Sequence, residues 1–176
     1  MTLSIVIPTW SGSIELARMA LHLSNQVRGM CDELVISEDG GSQYFLRIVA
    51  DTYLFHKRLG HAGNLRLGCK VASGDYIGML DSDVTILEGT MRSLCIPNKF
   101  VCGQSDDNST YDGFLSFCAV VDRQLLEKYP MPNGDLLDDW CHSIPKEEVI
   151  ISDKVRFHHK IGVSYTEKKR IESLKD

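Results

Sequence analysis

Apolar positions along the chain fall into short unbroken runs separated by stretches in which they recur every three or four residues. "LSIVIPT" (3–9) is a nearly continuous apolar run stopped by Pro8, the signature of a first strand buried on both faces. Over residues 11–28, Ile14, Leu16, Ala17, Ala20, Leu21 and Leu23 keep near-helical spacing, with Ser11 or Ser13 as the cap. "DELVISEDGG" (32–41) predicts a second strand ending in acid and glycine, and residues 42–50 a helix. "TYLFHK" (52–57) predicts a third strand from its aromatic content, residues 62–72 a helix, and "GDYIGMLDSDV" (74–84) a fourth strand. After residue 88 the rhythm loosens. "GFLSFCAVV" (113–121) predicts a strand, "DRQLLEKY" (122–129) a helix, "VRFHH" (155–159) a short late strand, and "TEKKRIESLKD" (166–176) a charged tail, helical or frayed. Strand and helix in this alternation imply an α/β fold, a parallel sheet with helices on its faces. No repeat, low-complexity tract or linker interrupts it, so residues 1–176 are expected to form one domain.

Composition narrows the setting. A chain of 176 residues with 43% hydrophobic and 24% charged residues can bury a real core and has the balance of a soluble globular protein. A net charge of −5 provides no basic field for polyanions or anionic membranes. No apolar run approaches the roughly 20 residues of a membrane span, so no transmembrane segment is expected. "MTLSIVIPTW" lacks the basic region and cleavable apolar stretch of a signal peptide. The six cysteines (Cys31, Cys69, Cys95, Cys102, Cys118, Cys141) form no C-x-x-C pair. That argues against a zinc ribbon and fits small apolar fillers in a reducing cytoplasm, the expected location.

The chemistry is suggested by how the strands end. A buried strand that runs into Asp81-Ser82-Asp83 calls for something positive, because unpaired buried charge is costly. In an open parallel sheet, ligands gather outside the carboxyl ends of the strands. Pro8-Thr9, Glu38-Asp39-Gly40-Gly41 and Asp81-Ser82-Asp83 would then share one edge. Each acidic group alone reads equally well as a turn or a helix cap. Together they repel unless a cation or polar ligand sits between them. Oxygen ligands suit Mg²⁺ and Mn²⁺, which carboxylates often hold together with substrate phosphates. Neither G-x-x-x-x-G-K-[ST] nor G-x-G-x-x-G occurs.

"SIVIPTW", "LVISEDGGS" and "GNLRLGCKVASGDYIGMLDSDV" resemble, in order and spacing, the successive motifs of family-2 inverting glycosyltransferases of the GT-A fold. "GFLSFCAVVDRQLLEKYPMPNGDLLDDWCHSI" resembles that family's later strand, Arg-containing helix start and acidic pair before an aromatic, and "FHHKIGVS" its late His-containing strand. The resemblance spans residues 3 to about 165. It implies a Rossmann-like, mostly parallel central sheet flanked by helices, with a nucleotide-binding half (1–84), an acceptor-side half (85–165) and the tail (166–176). The chain departs from the pattern at Glu38, where the family usually has Asp, and at Leu65-Arg66, where it commonly has Arg-Asn. It also ends soon after the histidine strand, which reads as a minimal member.

The resemblance also implies roles. Pro8, Thr9, Glu38, Asp39, Arg66, Asp81 and Ser82 would contact a nucleotide-diphosphate sugar donor, with UDP the leading nucleotide. Asp83, with Asp81, would hold Mn²⁺ or Mg²⁺ bridging the diphosphate, with His159 or His158 completing the site. Strand alternation puts Val155, Phe157 and His159 on one face, which favours His159. Asp139, of the Asp138-Asp139 pair, would be the general base, although a first-turn acid also simply suits a helix dipole. Trp140 reads either as an acceptor-stacking platform or as core. The acceptor is a hydroxyl on a glycan, a protein, a lipid-linked molecule or a modified nucleic acid. Two other readings are a non-catalytic nucleotide-sugar-binding domain and a sugar nucleotidyltransferase. "PTWSGSIEL" lacks the basic residue that the latter needs.

Overall fold

The computed structural model describes residues 1–40, 44–57, 59–106, 114, 116–132 and 137–160. Strand β1 (Leu3–Thr9) is buried at every position, because helices cover both of its faces. On one face Leu3, Ile5 and Ile7, with Leu34 of β2 (Glu33–Asp39), pack against Leu23 and Val27 of α1 (Ile14–Val27). On the other, Val6 and Val35 pack against Ala62, Leu65 and Cys69 of α2 (Gly60–Val71). The period of two along the strands and the near-four spacing along the helices meet in these two layers. Ser13 caps α1, its Oγ accepting from the Leu16 amide at 3.3 Å. Gly68 lets α2 ride close on β1, since a Cβ there would stand 2.4 Å from Val6 Cγ1.

The sheet has eight strands in the order β3-β2-β1-β4-β7-β6-β8-β5. The additional strands are β3 (Thr52–His56), β4 (Tyr76–Leu80), β5 (Val84–Glu88), β6 (Phe100–Ser105), β7 (Cys118–Asp122) and β8 (Val149–His159). The first four in that order are mutually parallel, as the alternation implies. Beyond them the sheet is mixed: β7 runs antiparallel to β4 and β6, and β8 runs parallel to β6 and antiparallel to β5. Helices α3 (Arg123–Lys128) and α4 (Leu137–Ser143) complete the α-helices among the described residues. Trp140 and Cys141 of α4 and Ile144 join the core on the α2 face.

Several boundaries move. The run 74–84 is not one strand: β4 stops at Leu80, the Val84 amide closes a turn on the Asp81 carbonyl at 3.1 Å, and β5 starts there. The polar Asp-Ser-Asp stretch favours such a turn over a continued strand. Of residues 42–50 the described part forms a 3-10 helix, Tyr44–Ile48. The strand expected at 113–121 is β7, ending at Asp122, which then caps α3 by accepting from the Gln124 amide at 3.0 Å. β8 begins at Val149, six residues before its expected start, and β5 and β6 were not expected. The tail 166–176 lies outside the described residues.

Two long side chains tie the layers together. Arg123 donates to the carbonyls of Ala72 (2.6 Å), the C-cap of α2, and of Gly74 (2.7 Å) just beyond it. Gln26, near the end of α1, bonds both backbone groups of Ile86: Nε2 donates to the carbonyl and Oε1 accepts from the amide, each at 3.2 Å. β5 is an edge strand, and this amide occupies its open side. No helix among the described residues is long and apolar enough to cross a membrane.

Candidate functional site

The parallel strands β1, β2 and β4 bring Thr9, Asp39 and Asp81 to one edge of the sheet. Glu38 is fully buried there. Its Oε2 accepts from Thr9 Oγ1 at 2.7 Å and its Oε1 from the Ser11 amide at 2.8 Å, so it stitches the β1 exit to β2. Asp39, also buried, accepts from the amides of Leu59 (3.1 Å) and Gly60 (2.9 Å). It thus caps α2 from a neighbouring strand, in place of a side-chain cap at Leu59. Gly40, at φ +74°, turns the chain directly after it. Asn64, one turn into α2, donates to the Thr9 carbonyl at 3.1 Å, and its Oδ1 has no hydrogen-bond partner among the described residues. Pro8 lies buried within β1.

The acidic turn after β4 meets the end of β8. Asp81, Asp83 and His159 form the group of metal-ligating type among the described residues, with ligand atoms all within 4.8 Å of one another. His159 Nε2 stands 3.2 Å from Asp83 Oδ1 and 3.9 Å from Asp81 Oδ2. The His159 ring stacks on Phe117 at 4.5 Å between centroids and 23° between planes. The Asp81 amide donates to the Phe117 carbonyl at 3.0 Å, so one residue steadies both sides of the cluster. His158 faces the other way, its Nδ1 at 3.0 Å from Asp106 Oδ1. Alternation along β8 separates the two histidines.

A fourth group belongs to this neighbourhood. His61, half-exposed in the first turn of α2, brings Nε2 to 3.2 Å from Asp81 Oδ1, a buried oxygen without an aligned hydrogen-bond donor. Burial pushes the Asp81 carboxyl up, but His61 first and His159 after it hold it below the usual aspartate range. Burial works against protonation of His159, yet the contact with Asp83 and the charges of Asp83 and Asp81 raise its pKa above the ordinary histidine value. Two carboxylates and an imidazole converging on one point form a donor set suited to a hard or borderline divalent cation, Mn²⁺ among them. No sequence signal pointed to His61, because its partner lies 20 positions away and is reached only through the crossover from α2 to β4.

Ser82 sits in the acidic turn and, with Asp83, lines an open cavity of about 650 Å³ that Arg18, His22, Thr85 and Lys160 also border. Arg66 Nη1 donates to the Pro132 carbonyl at 3.1 Å, tying α2 to the segment that leads towards α4. Asp138 and Asp139 are exposed acids in the first turn of α4. Trp140 is core: its ring packs edge-on against Phe114 and Phe100, and Nε1 donates to the Tyr129 carbonyl at 3.1 Å.

Comparison with known proteins identifies the architecture. The family model described as glycosyl transferase family 2 matches residues 4–97, and the chain belongs to that family. Mannosyltransferase PcManGT from Pyrobaculum calidifontis, solved in complex with GDP-Man and Mn²⁺, is similar at a TM-score of 0.66 and 16% identity, over 99% of this chain and 64% of that one. S. aureus TarS 1-349 is similar at 0.63 and 15% identity, over 97% and 64%. Glucosyl-3-phosphoglycerate synthase from Mycobacterium tuberculosis, solved with Mn²⁺, UDP and glucosyl-3-phosphoglycerate, is similar at 0.60 and 17% identity, over 85% and 68%. At these identities the likeness is one of fold, the GT-A fold. The chain spans 64% of the length of the first two of these structures. No curated protein matches it by sequence.

Proposed function

We propose that the protein transfers a sugar from a nucleoside-diphosphate donor to an acceptor hydroxyl, with inversion at the anomeric carbon and with dependence on Mn²⁺ or Mg²⁺. The observation that carries the reading is the convergence of Asp81, Asp83 and His159 at the carboxyl edge of the parallel strands. The imidazole in the set favours Mn²⁺ over Mg²⁺. Bound there, the cation would neutralise the charge that develops on the departing diphosphate. Residues 1–84 would form the nucleotide-binding half, with the buried Pro8 and Glu38 shaping the edge along which Thr9 and Asp39 meet the nucleoside, and with Asp81, Ser82 and Arg66 towards the ribose, sugar and phosphates. Uracil is the favoured base, and the UDP, UDP-GlcNAc and GDP-Man bound to structural neighbours bracket the choice. Residues 85–165 would form the acceptor side. There Asp139 takes the acceptor's proton as the hydroxyl attacks the face opposite the diphosphate, which inverts the configuration. Asp139 stands exposed at the start of α4, open to an incoming hydroxyl.

The test is turnover of a panel of UDP-, GDP- and dTDP-sugars, assayed with Mn²⁺, with Mg²⁺ and with EDTA, and NMR of the anomeric proton in the product. Metal-dependent release of nucleoside diphosphate with an inverted product is expected. Turnover unaffected by EDTA, or a product of retained configuration, overturns the reading.

A further inference from the structure

His61 contacts the acidic cluster without belonging to it. The group whose ligand atoms all lie within 4.8 Å of one another is Asp81, Asp83 and His159, and His61 is not a member. The Asp81 carboxylate is held from two directions: Oδ1 lies 3.2 Å from His61 Nε2, and Oδ2 faces His159 Nε2 at 3.9 Å. The Asp81 backbone is already fixed by its bond to the Phe117 carbonyl, so the remaining freedom is the swivel of the carboxylate itself. A carboxylate that swivels presents its oxygen to a cation only part of the time. A polar partner 3.2 Å from the far oxygen restrains its plane, and groups that orient a ligand in this way commonly matter 10–100-fold for metal affinity. His61 is well placed to hold still, because it projects from the first turn of a helix whose start is pinned by Asp39.

We propose that His61 is a positioning residue for the divalent-cation site: through Nε2 it holds Asp81 Oδ1 so that Oδ2 stays turned towards Asp83 and His159. The inference rests on the cation reading above. It adds a residue from α2 to a site otherwise built from the β4–β5 turn and β8. It also couples the helix that Asp39 caps to the place where the diphosphate charge is met, so the two ends of a bound nucleotide would press on one rigid element.

The experiment is Mn²⁺ titration by calorimetry on the full chain, with no donor or acceptor present. His61→Leu is expected to weaken Mn²⁺ binding by about 10–100-fold. His61→Gln, which keeps an N–H donor, is expected to recover most of that loss. On an Asp81→Asn background, His61→Leu is expected to cost nothing further, because its route to the metal is gone. Circular dichroism and the melting temperature verify that each variant is folded, which half-exposure of His61 favours. Wild-type affinity in His61→Leu, equal losses in the Leu and Gln variants, or full additivity with Asp81→Asn each overturn the positioning role and leave the cation site standing. A wild-type chain that binds no Mn²⁺ overturns both.

Discussion

Asp83 is buried within 3.2 Å of the His159 imidazole, on a turn and not inside the core clusters. Removing its charge should therefore affect ligand binding far more than packing. Asp83→Asn is expected to abolish Mn²⁺-dependent binding of a nucleoside diphosphate in calorimetry and to leave the circular dichroism spectrum unchanged. Persistence of metal-dependent binding would remove Asp83 from the site. Asp139 calls for the opposite pattern, since a general base acts in the transition state more than in donor binding. Asp139→Asn is expected to lower the transfer rate by roughly 10²–10⁴-fold while donor affinity holds, with Asp138→Asn much milder. Initial rates and donor titration on both variants decide it, and a dead Asp138→Asn beside an active Asp139→Asn would move the base by one position.

At the scale of elements, Glu33 at the start of β2 joins three segments. Its Oε2 accepts from Ser4 Oγ at 2.5 Å on β1, and from the Ser73 amide (2.7 Å) and hydroxyl (2.9 Å) beyond α2. Burial alone would raise its pKa, but these donors outweigh it and hold the carboxyl below the ordinary value of about 4.3. A depressed folded-state pKa adds stability that is present above the unfolded value and is lost as pH falls through the folded one. Glu33→Gln should thus lower stability at neutral pH and flatten its decline on the acid side, as urea melts from pH 7 to pH 3 would show; an unchanged slope would deny Glu33 that part. The same scale explains what could be read in advance. β1, β2, β4, α1 and α2 were legible because covered strands give unbroken apolar runs and α1 keeps a strong face. β5 hid behind Asp83, and "FVCGQS" of β6 turns polar halfway. In β8, Asp153-Lys154 interrupts the alternation where the pairing with β6 shifts register between Gly103 and Gln104. The acids of the cluster were legible as a motif. His61 was not, because strand order, and not spacing along the chain, creates its contact with Asp81.

For the molecule as a whole, the cluster predicts linkage between ligands. A nucleoside diphosphate supplied with Mn²⁺ is expected to raise the melting temperature more than either alone, by an amount that corresponds to about 2.7 kcal/mol at 100 times the dissociation constant. Equal shifts with and without Mn²⁺ in a thermal melt would contradict a shared site. At one outer strand of the sheet, β5, the bonds between Gln26 and Ile86 bear on how the protein would meet copies of itself. The side-chain amide stands where the peptide group of a ninth strand would dock, so β5 ends the sheet without offering a template for growth. Gln26→Leu would keep the bulk of the helix face and uncover that pair of backbone groups. Such a variant is expected to assemble into thioflavin-positive particles at concentrations where the parent stays clear in light scattering. Solubility would then depend at this edge on one amide, 60 positions away from the strand it protects.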